Sequence, residues 1–331
     1  MATPMVVCNL NDIVGNTEVG QQFQDALRKF LAQGDSWFSI GALPPDFTGN
    51  ILESIVLNAS AAAVSCAYPG KTLQQMVKWD IETPFASLLY GPQAWPWEAV
   101  LLSAGGNDLI DAVNTLPDEA DADKASRRLL RTTVERINVP TSLDCSHYVR
   151  PEGWAAFTDT LLACFAALVQ KRDGAGSECN GVPILVHNYD YAQPRNAPAT
   201  VGLPNIGLGP WLYSAFTAAP YQIPQADWLT LVKYLLNSWA DFITGTPASP
   251  DVNTRLAGTF GLASGNICLV RLAGTLTPAD VNNIGPDVDW VNEIHPTLAG
   301  YRKLGALYSA QMPAAPITLA VADVPAGNTK S

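Results

Sequence analysis

The sequence predicts an α/β fold built on a five-stranded parallel sheet with helices on both faces. Three observations lead there. Short apolar runs recur at residues 30–36, 61–70, 97–108, 181–190 and 267–272. Stretches of helical character separate them, and near-continuous apolar strands of this kind are buried on both faces. Three of the runs stop in turns that carry reactive groups, at Ser36, Gly70 and Asn107; in open parallel sheets, sites form beyond the carboxyl ends of strands.

Taken in order, residues 1–16 show no clear period. Thr17 is a candidate cap for a helix over 19–28, with Val19, Phe23 and Leu27 on one face. The run 30–36 flows into Gly34-Asp35-Ser36. Pro44, Pro45 and Gly49 mark a loop, and a helix is expected at about 51–57. The second run ends at Pro69-Gly70, and Thr72 opens a short helix over 73–79. The third stops at Gly105-Gly106. Residues 120–137 are charged and helical in character, and 154–171 form a strongly apolar helix. The fourth and fifth strands follow. His295-Pro296-Thr297 opens the last helix, with Leu298, Tyr301, Leu304, Leu307 and Tyr308 on its buried side. The whole chain, 1–331, reads as one domain with a loose tail from about 313.

Residues 191–228 break the alternation. They are rich in Pro, Gly and aromatics and follow the fourth strand, so they are expected to form a cap over the site. Tyr191, Trp211 and Tyr213, with Trp37, are the candidate contacts for an apolar substrate.

The 331 residues are 48% hydrophobic, enough for a large core. The net charge of −11 and pI of about 4.6 disfavour nucleic acid and anionic membranes as partners. The N-terminus lacks the pattern of a signal peptide, and the longest apolar run, 161–169, is too short to span a bilayer. A cytoplasmic protein with no integral membrane association is expected. The six cysteines show neither a CxxC pair nor metal-ligand spacing, so no metal or cofactor is expected. Cys66, Cys164 and Cys268 read as buried thiols; a Cys145–Cys179 disulfide stays open.

A serine at a strand end can act as a nucleophile if a base reaches it. Three histidines compete for that role. His295 opens a helix from a loop and can project freely. His187 lies within a strand and reads as an interior residue. His147 sits in a polar loop near Cys145.

The sequence resembles the SGNH hydrolases, also called the GDSL esterase and lipase superfamily. The matching pieces are Gly34-Asp35-Ser36, the turn at Gly70, Gly105-Gly106-Asn107-Asp108, and Asn292-Glu293-Ile294-His295-Pro296, in the family's order and across most of the chain. The resemblance implies a flavodoxin-like three-layer α/β/α sandwich and ester hydrolysis through an acyl-enzyme. It implies Ser36 as nucleophile, His295 as base, and an oxyanion hole made by the N–H groups of Ser36 and Gly70 with the Asn107 amide. The family's aspartate three residues before the histidine is Asn292 here. Either Asn292 or Asp289 would then orient His295; Glu293 is nearer but expected to point away. Asp35 and Asp108 read as turn-fixing residues, and Asp190 and Arg195 as a pair or as pocket lining. The function implied is a serine esterase or lipase acting on a small or lipid-like ester. An acyltransferase, or a non-catalytic binding module on the same scaffold, is the alternative.

Overall fold

The computed structural model describes residues 2–39, 49–91, 93–200, 207–263 and 265–313. The loop expected at Pro44 and Pro45, part of the expected cap, and all but the first residue of the expected tail lie outside that set.

Six parallel strands form the central sheet: β1 (Val6–Cys8), β2 (Arg28–Gly34), β3 (Ala61–Ser65), β4 (Ala99–Ser103), β5 (Ile184–His187) and β6 (Ile267–Val270). Their spatial order is β1-β3-β2-β4-β5-β6. Without β1 this is the 2-1-3-4-5 order of flavodoxin-like sheets. The sixth strand corrects the expected five: β1 is only three residues long, too short to show a period in sequence. The central strands β4 and β5 are wholly buried, which is why they read as continuous apolar runs.

The helices that bear on the site are α1 (Glu18–Asp25), α2 (Leu73–Met76), α3 (Gly106–Asn114), α4 (Pro151–Arg172), α5 (Leu212–Thr217), α6 (Trp228–Thr244), α7 (Val252–Phe260) and α8 (Leu298–Gln311). Thr17 caps α1 through Gly20 N–H, and Phe23 is buried, but the helix stops at Asp25 and leaves Leu27 exposed. Of 120–137, only Ala122–Ser126 is helical, because Leu129 and Leu130 are drawn into the core, where Leu130 pairs with Val149. Four of these helices went unread in sequence, α3, α5, α6 and α7. In α6 the buried residues Trp228, Leu231, Val232, Leu235, Leu236 and Trp239 fall at helical spacing. On α8, Tyr301, Leu304 and Tyr308 are buried but Leu307 is exposed.

Among the described residues α4 is long and apolar enough to cross a membrane, although the run 161–169 alone is not. It is a core helix here, with Phe157, Leu161, Phe165 and Leu168 buried. All six cysteines are free. Cys145–Cys179 forms no bridge, and Cys268 is exposed because β6 is an edge strand.

Candidate active site

In this strand order, chain connections leave β2 toward β3 and β4 toward β5, so a crevice opens between the carboxyl ends of β2 and β4. Ser36 follows β2 and Asn107 follows β4. The two strands are in register at Gly34 and Ser103, and the Asp35 N–H donates to the Ser103 carbonyl at 3.1 Å. The backbone leading into Ser36 is thus set by the sheet itself.

Asp35 fixes the turn, as its position suggested. Its carboxylate accepts from Trp37 N–H at 3.0 Å, Ser103 Oγ at 2.7 Å and Tyr189 Oη at 2.5 Å. Burial pushes this carboxyl up to about 6 against those hydrogen bonds. Tyr189 also packs on Gly106, where a Cβ would come within 2.5 Å of its ring, so the turn after β4 needs glycine for close approach.

Ser36 is buried, and its Oγ lies 2.9 Å from His295 Nε2. His295 Nδ1 lies 3.0 Å from Asn292 Oδ1. That same oxygen accepts the N–H groups of Ile294 at 3.1 Å and His295 at 2.9 Å. Backbone N–H groups only donate, so the atom facing the ring is the amide oxygen, and Nδ1 must carry the proton. Nε2 is then left bare to accept from the Ser36 hydroxyl, the arrangement a general base requires. Burial pushes the imidazole down to about 4, because an amide cannot offset the charge of imidazolium.

Asp289 does not contact His295. Its carboxylate pairs with Lys303 Nζ at 2.8 Å and accepts from Thr277 N–H at 2.9 Å. Glu293 points away, as expected, but into a role that sequence did not suggest. It is fully buried and accepts N–H groups from Trp211 (a very short bond), Leu212 at 3.0 Å, Tyr213 at 2.6 Å and Arg195 at 3.3 Å. Burial still pushes its carboxyl up to about 7. The segment 211–213 is thereby fastened to the histidine loop, and the Trp211 ring stands edge-on to His295 with centroids 5.3 Å apart.

The amide side is braced in the same way. Asn107 Nδ2 donates one hydrogen to the Lys71 carbonyl at 2.9 Å, which leaves its second N–H for another acceptor. Asp108 accepts from Leu73 N–H at 2.7 Å at the start of α2. Gly70 has a φ of +79°, a left-handed conformation that favours glycine, and is exposed in open space. Tyr68 N–H, donating to the Gly34 carbonyl at 2.9 Å, ties this turn to the end of β2.

A narrow cleft of about 60 Å³ adjoins Ser36. Its walls are almost wholly apolar, with Leu109, Ile110, Leu212, Val232, Leu235 and Ile294 among them, and Asn107 and Trp37 at the end near Ser36. Trp37 lines it as expected, while its ring also stacks on His187. Tyr191, Trp211 and Tyr213 do not line it. Tyr191 Oη donates to Asn237, Trp211 sits against His295, and Tyr213 packs edge-on to Trp228, so two of these aromatics are held by α6 and the third by the histidine loop. The wall that sequence reasoning missed is α6, whose i, i+3, i+4 apolar spacing was the available signal.

The other two histidines stay out of the site. His187 is buried in β5 with Nδ1 3.0 Å from the Asn188 carbonyl, and burial pushes it down to about 4. His147 bonds Ser142. Asp190 and Arg195 do not pair with each other, but Asp190 is among the residues lining the cleft. Asp190 accepts the N–H groups of Gly274, Thr275 and Leu276, while Arg195 donates to the Asn292 carbonyl at 2.8 Å, holding the histidine loop from behind. Among the described residues there is no metal-ligating cluster.

No family model and no curated protein matches the chain. Solved structures do align with it. One is described as a GDSL-like lipase from Parabacteroides merdae, 11% identical over 86% of this chain and 94% of that one, TM-score 0.42. Another is the lipase Lip_vut3 from a goat rumen metagenome, 11% identical over 86% and 96%, TM-score 0.43. A third is an extracellular lipase from Streptomyces rimosus, 14% identical over 86% and 98%, TM-score 0.40. Their likeness to this chain is one of fold, too loose to carry an activity.

Proposed function

We propose that this protein is a serine hydrolase of the SGNH type, acting on carboxylic esters with an apolar acyl group through an acyl-enzyme. The observation that carries the reading is the 2.9 Å approach of Ser36 Oγ to a His295 Nε2 whose tautomer is fixed by Asn292.

In this reading Ser36 Oγ attacks the ester carbonyl as its proton passes to His295 Nε2. The carbonyl oxygen becomes an oxyanion facing the Ser36 and Gly70 N–H groups and the free Asn107 N–H; one such fixed donor typically contributes about 3–4 kcal/mol to the transition state. His295 then gives its proton to the leaving alcohol oxygen as the C–O bond breaks. Water, deprotonated by the same nitrogen, attacks the acyl-enzyme and frees the acid and Ser36. Asn292 accepts from Nδ1–H throughout and orients the ring without a counter-charge. The apolar cleft would take the acyl chain, and its walls offer little to a charged or sugar-like acyl group. The chain is read as a single domain in which 191–228 acts as a wall, through Ala192 and Leu212, more than as a cap.

Labelling with a fluorophosphonate tests this directly. A single adduct on the wild-type chain, absent from Ser36→Ala, is the expected result. An unlabelled wild type, or a label that survives Ser36→Ala, removes the reading and favours a binding module that has kept the fold.

A further inference from the structure

A second cavity, of about 390 Å³, shares no lining residue with the cleft at Ser36. Arg131, Pro140, Ser146 and His147 form one side, from the irregular stretch before α4. Trp154 of α4 and Tyr234 of α6 form the other. On α6, Tyr234 lies on the side opposite Leu236, so one helix walls both spaces.

The stretch that forms one side of this cavity is rich in arginine, with acidic residues at its flanks. Residues 124–150 hold six basic side chains and two acidic ones, in a protein of net charge −11. Several of those cations already have counter-ions. Glu135 pairs with Arg128 at 2.6 Å, Asp123 with Arg127 at 2.9 Å, and Glu152 with Arg150 at 2.9 Å. Arg131 and Arg136 have none within 4.0 Å among the described residues. Arg131 Nη1 donates to the His147 carbonyl at 3.2 Å, and Arg136 Nη1 to the Arg131 carbonyl at 3.4 Å. Glu152, the nearby acid whose charge Arg131 feels, is committed to Arg150. His147 Nδ1 accepts the Ser142 N–H at 3.1 Å, so in the neutral ring Nε2 carries the proton and is the donor end.

We propose that this cavity binds a small carboxylate with a flat apolar body, the carboxylate on Arg131 and the body between Trp154, Tyr234 and Pro140. A guanidinium fork matches the two oxygens of a carboxylate and is weakly enough hydrated to be half-buried against aromatic walls. An anion here supplies the counter-charge that Arg131 lacks; a neutral analogue gains only the apolar contact. A phosphate monoester presents the same anionic oxygens. A single guanidinium in a cavity otherwise lined by Val, Pro, Trp and Tyr, with Ser146 and His147, suits a monoanion better than a dianion.

Isothermal titration of the full chain carrying Ser36→Ala, which leaves this cavity untouched, decides the matter with three probes: 2-naphthoate, the neutral 2-naphthamide and 2-naphthyl phosphate. Naphthoate is expected to bind at least about tenfold more tightly than the amide, a charge-assisted margin. Adding Arg131→Gln should abolish that margin, while adding Trp154→Ala should weaken acid and amide alike. If the Gln variant does not fold, Arg131→Lys, which keeps the charge and loses the fork, should weaken naphthoate several-fold and leave the amide unchanged. Equal binding of acid and amide overturns the proposal. So does a margin that survives the loss of Arg131, or tighter binding of the phosphate than of the carboxylate.

Discussion

The two sides of the candidate site are built by different means. On the serine side, Ser36, the Gly70 turn and Asn107 each follow one of three neighbouring strands, which the parallel ladder holds in register. On the imidazole side no strand leads to His295. The chain from β6 to α8 is irregular, and buried polar groups hold it: Arg195 on the Asn292 carbonyl, Asp190 on 274–276, and Glu293 on 211–213. A ladder fixes position with groups that must be paired anyway. A loop needs buried charges, each costly to desolvate and tolerable only when its hydrogen bonds are filled. The imidazole side should therefore be the more sensitive to single substitutions in residues that never touch substrate.

The strongest way to break this comparison is at its meeting point. Ser36→Ala or His295→Ala is expected to lower kcat on a short-chain ester by about 10⁴-fold or more with the fold unchanged by circular dichroism. Retained turnover in either would separate the two sides chemically. Next is Asn107→Ala, expected to cost about 10²–10³-fold in kcat with KM little changed, since in the proposed reading the amide acts on the oxyanion and not the ground state. A loss confined to KM would move Asn107 out of the oxyanion hole.

Glu293→Gln tests the loop side. Its new amide would set N–H against N–H, so about 1–3 kcal/mol of stability should be lost in a denaturant melt, with kcat falling although Glu293 lies outside the cleft. The pH dependence carries a second signature. Burial raises the native carboxyls of Asp35 and Asp108 to about 6 and Glu293 to about 7, above their unfolded values. Between those values each of these carboxyls holds a proton in the native state that the unfolded chain has lost, so each contributes stability that falls as pH rises to its native value. His187 and His295, pushed down to about 4, act the other way below about 6.5, and Glu293→Gln should remove one falling contribution between about pH 5 and 8 and so change that part of the slope. A slope unchanged in the variant would show Glu293 ionised throughout.

Smaller still is Asn292→Asp. A carboxylate at that distance should raise the His295 pKa from about 4 and move the acid limb of the kcat/KM profile toward neutrality by about one to two units. The least effect belongs to Asp289→Asn. It breaks a pair with a half-exposed Lys303, so about 1 kcal/mol or less is expected, with the acid limb unmoved. A moved limb would mean that Asp289 reaches the imidazole in solution.

The contrast also explains what could be read in advance. Strand-end turns are local signals: an apolar run followed by Gly-Asp-Ser or Gly-Gly-Asn-Asp can be located without knowing what lies beside it. Glu293 gave no such signal, because its four partners come from residues 195 and 211–213, brought close only by folding. The assignment of aromatics failed for a related reason. Tyr191, Trp211 and Tyr213 are the right kind of residue for a substrate wall, yet each found a protein partner, while the aliphatic face of α6 took the wall.

By itself, the sequence determined the parallel sheet, the serine at the end of its first apolar run and the leading candidate among three histidines, because apolar periodicity and turn chemistry act over a few residues. Only the tertiary structure decided between Asn292 and Asp289 at the imidazole, and set the apolar face of α6 against the cleft beside Ala192 and Leu212. Those choices depend on which groups a buried donor or acceptor meets across hundreds of residues of chain, and proximity of that kind is not written in any local pattern.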